Sequence, residues 1–97
     1  MRLELAPQAG RDLVQLVDDL LEHAGPATAQ RWRDRLRSKL ELIGRQPLAY
    51  ALRPDLGENR RAATLRPYVF VYTVDEQRVL VIRVLHGARD LPEALND

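Results

Sequence analysis

The chain has 97 residues, no cysteine, two histidines and a formal net charge of +1. A chain of this length can bury roughly 60–70% of its unfolded surface without crosslinks, so residues 1–97 are expected to form a single domain. The missing cysteines exclude disulfides, thiolate zinc sites and thiol nucleophiles, two histidines cannot build a histidine-rich metal centre, and neither metal nor cofactor is expected.

The opening Met1-Arg2-Leu3-Glu4-Leu5 carries charges where a signal peptide needs an apolar core, and no apolar run reaches membrane-spanning length. A soluble, cytoplasmic protein with no membrane partner is the expectation. Arg2 to Ala6 reads as a short strand, and Pro7 suits the first turn of a helix, where its missing N–H is not needed. Ala9, Leu13, Leu16, Val17, Leu20 and Leu21 then recur at helical spacing until Gly25-Pro26. A second apolar stripe, Ala29, Trp32, Leu36, Leu40 and Ile43, ends at Gly44 and Pro47. A turn of two to four residues would join the two helices into an antiparallel hairpin. Its arms differ in charge, −3 over Pro7 to His23 and +3 over Pro26 to Ile43. Arg31, Arg33, Arg35, Arg37 and Lys39 read as a solvated face complementing the acidic first helix. Trp32, on the apolar stripe, reads as core rather than as a stacking platform for nucleic acid.

Gln46 to Asn59 is a proline-bearing connection whose apolar residues Leu48, Tyr50, Leu52 and Leu56 are expected to anchor it to the body. Arg60 to Leu65, Tyr68 to Thr73 and Arg78 to Leu85 are strand-like and separated by short turns, which predicts a β-meander. Arg60 and Arg61 open a strand where phosphate or carboxylate contact is feasible, although surface solubility explains them nearly as well. Asp90-Leu-Pro-Glu93 has capping-box spacing and predicts a helical turn over Leu91 to Leu95. The order β-α-α-β-β-β gives an α+β domain of two layers, with the helix hairpin packed on one face of a small antiparallel sheet and the other face open to a partner. From Asn59 to Arg89 the charge is +4, so a basic partner surface lies within reach of that half.

The last strand holds the sharpest signal. Period-two alternation puts Val79, Val81, Arg83 and Leu85 on one side and Leu80, Ile82, Val84 and His86 on the other. Both sides are largely apolar, so the strand should be central and Arg83 must meet a counter-charge, snorkel to an edge or belong to a site. Glu4 and Asp90 are the carboxylates considered for it. His86, at the strand end, and Arg89 with Asp90, before the terminal helix, each have a structural reading as well as a functional one.

Leu3-Glu-Leu-Ala-Pro7-Gln-Ala9 followed by Asp12-Leu13, the hairpin with Trp32, Arg66-Pro67-Tyr68 and Ile82-Arg83-Val84-Leu85-His86-Gly87-Ala88-Arg89-Asp90 together resemble the ParE/RelE superfamily of type II toxins. The resemblance covers nearly the whole chain, and the last segment is closest to the ParE side. It implies a RelE/ParE-like fold and a toxin that inhibits DNA gyrase by protein–protein binding, without cofactor, metal or sequence-specific nucleic-acid binding of its own. A ParD-like antitoxin would neutralise it in a toxin–antitoxin hetero-oligomer. Arg83, His86, Arg89 and Asp90 are then the target-binding candidates. Leu13, Leu20, Trp32, Leu36, Tyr68, Phe70 and Tyr72 are the antitoxin-binding candidates, on the hairpin groove and the sheet.

The RelE side of the superfamily cleaves messenger RNA on the ribosome, which needs a base for the 2′-hydroxyl, an acid for the leaving oxygen and cations for the phosphate. Arg61, Arg83 and His86 are the residues that would carry this chemistry, with Arg60 and Arg66 as further phosphate contacts. The chain lacks lysine after Lys39 and tyrosine after Tyr72, which RelE-like members usually supply. A third reading is a degenerate member that only binds its antitoxin to regulate transcription.

Overall fold

The computed structural model describes residues 2–95. Strand β1 (Arg2–Leu5) leads into helices α1 (Pro7–Ala24) and α2 (Pro26–Arg45). Strands β2 (Arg60–Leu65), β3 (Tyr68–Val74) and β4 (Arg78–His86) follow, then the short helix α3 (Leu91–Leu95). The strands form one sheet in the order β1-β4-β3-β2. β2, β3 and β4 are the antiparallel meander, while β1 joins in parallel, Arg2 opposite Arg78 and Leu5 opposite Val81, so the sheet is mixed. The parallel pairing follows from the helix hairpin, which returns the chain to the sheet as a crossover. No helix among the described residues is long and apolar enough to cross a membrane.

The turn between α1 and α2 is shorter than the two to four residues expected: Gly25 alone joins them. Its φ of 88° lies in the region that favours glycine. Its N–H caps Leu21 O at 3.3 Å, its carbonyl accepts from Ala29 N at 3.1 Å, and Pro26 occupies the first position of α2.

The layer under the helices is built from Ala9, Leu36, Ile43, Ala63, Phe70, Tyr72, Val79, Val81 and Val84. The opposite face is covered rather than open: Leu56, from a 3-10 turn (Pro54–Leu56), and Leu91 and Ala94 of α3 pack there on Val69, Val71 and Leu85. The 97-residue chain thus carries a second, smaller core, built by elements that show little periodicity in the sequence.

A register shift between β3 and β4 sets which side chains enter which core. Val71 faces Arg83 and Tyr72 faces Val81, leaving Ile82 as the extra residue of a β-bulge. Strict alternation therefore fails after Val81: Val84 joins Val79 and Val81 beneath the helices, and Leu85 packs on the other face.

Residues 46–59 are held firmly although they contain only two 3-10 turns (Pro47–Ala49 and Pro54–Leu56) and an isolated bridge from Leu52 to Arg61. The Tyr72 hydroxyl donates to Pro47 O, the Arg61 guanidinium to Tyr50 O, and Lys39 Nζ to the Tyr50 hydroxyl at 2.8 Å. Burial pushes the Tyr72 phenol up to about 12, so it remains a donor across the physiological range. Tyr72→Phe should lower stability by about 1–2 kcal/mol in urea unfolding, since it removes this bond and leaves Pro47 O without its tyrosine donor.

Candidate functional site

β1 ends at Leu5, and Ala6 N continues its ladder for one more bond, to Val81 O at 2.8 Å. Past that point Asp12, in the second turn of α1, takes over from the strand. Its Oδ2 accepts the Val84 backbone N–H at 3.0 Å and Arg83 Nε at 2.8 Å, and its Oδ1 accepts Arg83 Nη2 at 3.2 Å. Gln8 Nε2 donates to Oδ1 at 3.0 Å. Arg83 Nη1 reaches across to Ala94 O at 3.3 Å, so one guanidinium ties α1 to α3. The bidentate fork is the geometry in which an arginine–carboxylate pair is strongest. Both side chains are largely withdrawn from water, at 18% and 10% exposure. Burial is the largest single influence on Asp12 and works against its charge, but the bonds from Arg83, Val84 N–H and Gln8 outweigh it and hold the carboxyl below the usual aspartate range.

Neither counter-charge considered from the sequence is the partner of Arg83. Glu4 is engaged by Arg2 at 3.0 Å and by Arg78. Asp90 accepts the Glu93 N–H at 3.2 Å and starts α3, as the capping spacing predicted. Asp12 was missed as the partner, although a signal existed. It lies three residues after Ala9 and four before Leu16, which puts it on the border of the apolar stripe where a helix meets a sheet edge.

Beside this pair opens a groove of about 460 Å³ between α1 and the end of β4. Gln15, Asp19 and His23 form one wall, Leu16, Leu20, Tyr68 and Val84 contribute apolar lining, and His86 and Arg89 stand opposite. An edge-to-face series crosses its end: the ring centroid of Trp32 is 5.2 Å from that of Tyr68, which is 6.0 Å from that of His86. Arg35 lies over Trp32 at 4.2 Å. His86 Nδ1 accepts the Ala88 backbone N–H at 3.1 Å, so the neutral ring carries its proton on Nε2. The groove is therefore mixed in charge at its walls and largely apolar between them.

The structure treats the predicted residues unequally. Of the target-binding candidates, His86 and Arg89 are exposed on the groove rim, Arg83 is engaged beneath it, and Asp90 caps α3. The nuclease candidates do not converge. Arg61 sits on β2, two strands from β4 and four to five residues further along, which is roughly 16 Å from His86 by strand geometry. Its guanidinium is bound to Tyr50 O.

Among the antitoxin-binding candidates, Leu20 and Tyr68 line the groove, and Leu13 and Trp32 are partly exposed. Leu36, Phe70 and Tyr72 are corrected: with 3%, 0% and 0% exposure they belong to the core and offer no surface to a partner. They point inward because the hairpin covers the face that carries the aromatic residues of β3. Among the described residues, no group of three or more histidine, aspartate or glutamate side chains could hold a metal ion.

A two-layer α+β domain with a helix hairpin over a four-stranded mixed sheet is the RelE/ParE-like fold. The family described as "ParE toxin of type II toxin-antitoxin system, parDE" matches residues 3–91, and the chain belongs to it. A solved structure from the chromosomal ParDE toxin–antitoxin system of P. aeruginosa has the same fold, with a TM-score of 0.75 at 22% identity over 89% of this chain and 95% of that one. No curated protein matches the chain by sequence.

Proposed function

We propose that this chain inhibits DNA gyrase by protein–protein binding and is neutralised by a ParD-like antitoxin. The observation that carries the reading is the shared groove. Leu20 and Tyr68, which an antitoxin segment would cover, line the same cleft as His86 and Arg89, which would meet the target. An antitoxin seated there excludes the target by direct overlap, without an allosteric step. A disordered antitoxin segment suits such a site, since it can lay an amphipathic helix along the groove and an extended stretch along a sheet edge. The engagement of Arg83 with Asp12 and the distance between Arg61 and His86 favour a binding protein over a ribonuclease.

Purified toxin added to gyrase and plasmid should block supercoiling and leave linear DNA, and the antitoxin should reverse this. His86→Ala combined with Arg89→Glu should weaken inhibition about tenfold or more while the thermal melt falls only slightly, by the loss of the Ala88 bond and the Tyr68 contact. Full supercoiling at excess toxin would overturn the reading, and RNA cleavage in a parallel ribosome assay would replace it with the nuclease.

A further inference from the structure

Residues 46–59 present an arrangement that the groove does not account for. Of the four apolar residues expected to anchor this connection, Leu56 is buried and Tyr50 is packed on the main core. Leu48 and Leu52 are not anchors: they are 67% and 50% exposed, and Leu48 is the most exposed large hydrophobic side chain among the described residues. Here the backbone that carries them is fixed from both sides, by Tyr72 on Pro47 O, Arg61 on Tyr50 O, and Arg53 N on Arg60 O at 2.7 Å. Two bulky apolar side chains held outward on an immobilised backbone form a pre-organised epitope, because little conformational entropy remains to be lost on binding.

The surroundings define the partner. Between residues 45 and 61 the chain has four arginines against Asp55 and Glu58, and the Arg60 and Arg61 guanidinium groups are bound to uncharged backbone carbonyls, which leaves their charge uncompensated by those bonds. The fitting surface is an apolar pocket rimmed by carboxylates. The epitope also lies at the end of the sheet away from the groove: Pro47 and Leu52 are tied to Tyr72 and Arg61, whereas Tyr68 and His86 mark the groove end. An antitoxin helix seated in the groove leaves it uncovered, and the Leu52–Arg61 bridge already occupies the start of the β2 edge, so an extended antitoxin stretch cannot pair there.

We infer that Leu48 and Leu52 form a second contact with the protein target of the toxin, through an apolar pocket bordered by acidic side chains. This inference rests on the reading of the chain as a target-binding toxin. The test is the full-length variant Leu48→Asp/Leu52→Asp, with Leu48→Ser/Leu52→Ser as the milder form should the first fail to fold. Three quantities are read beside a circular-dichroism melt: gyrase inhibition, growth arrest on induction, and affinity for the antitoxin. Inhibition and arrest should fall about tenfold or more, with antitoxin affinity within twofold of the unaltered chain.

Unchanged growth arrest would overturn the inference, as would a parallel loss of antitoxin affinity, which would assign the leucines to the antitoxin. An unaltered chain that dimerises through these leucines, with dissociation in the variant and no loss of arrest, would assign them to self-association and also overturn it. If the unaltered chain arrests growth without touching gyrase, and the variant does not arrest growth, the gyrase reading fails while the epitope stands.

Discussion

Asp12→Ala should destabilise the folded chain by about 3–5 kcal/mol, measured as the loss in unfolding free energy in urea at neutral pH. The loss is large because one truncation acts on three groups. It removes the carboxylate from the Arg83 fork, takes the acceptor from the Val84 N–H, and frees Gln8 at the start of α1. Asp12→Asn should cost less, since its carbonyl oxygen can still accept the Val84 N–H. The same carboxyl sets an acid limit. Because its folded value lies below the unfolded one, about 3.9, its contribution is fully present above the unfolded value and is lost as pH falls through the folded one. Unfolding midpoints of the unaltered chain should therefore drop on acidification below about pH 4 more steeply than those of Asp12→Asn. Parallel curves for the two proteins would remove the pair from this role.

Phe70→Ala should cost about 3–5 kcal/mol, because the ring is completely buried between the hairpin and the middle of the sheet and its removal leaves a cavity lined by rigid elements. The variant also separates core from surface. If Phe70 acts only through the core, Phe70→Leu should fold with a smaller loss and bind antitoxin as well as the unaltered chain does, in a titration performed well below its melting temperature. A selective loss of antitoxin affinity in well-folded Phe70→Leu would return the residue to the binding surface.

Much of this architecture is written locally. Both helices announce themselves by the 3.6-residue recurrence of Leu13, Leu16 and Leu20 and of Ala29, Leu36 and Ile43, and the meander by its alternation between short turns. What sequence could not supply is long-range. Ile82 looks like any other strand residue, yet as the bulge it reverses the sides of Val84 and Leu85. Local propensity holds no trace of it, because a bulge is defined by the partner strand. The covering of the second sheet face escaped for a similar reason: Leu56, Leu91 and Ala94 belong to segments too short to show a period. In the site, Arg83 was visible as a charge that needed an answer, but Glu4 and Asp90 were nearer in character to strand and cap than Asp12, which answers it from the neighbouring helix. An apolar residue in a connection usually anchors it to the body, which is what the leucines of residues 46–59 suggest from sequence. Leu56 and Tyr50 obey that rule, while Leu48 and Leu52 break it.

The parallel partnership of β1 with β4 has a consequence for how the protein comes into being. Glu4 meets Arg78 across 74 positions of sequence, and Asp12 meets Arg83 across 71. During synthesis the helix hairpin is made early and can condense by itself, but its sheet edge and its buried counter-charge arrive only when β4 emerges. Until then Asp12 remains in water and β1 has no neighbour. The groove rim at the β4 end, with His86 and Arg89, therefore depends on contacts that only the last third of the chain can complete.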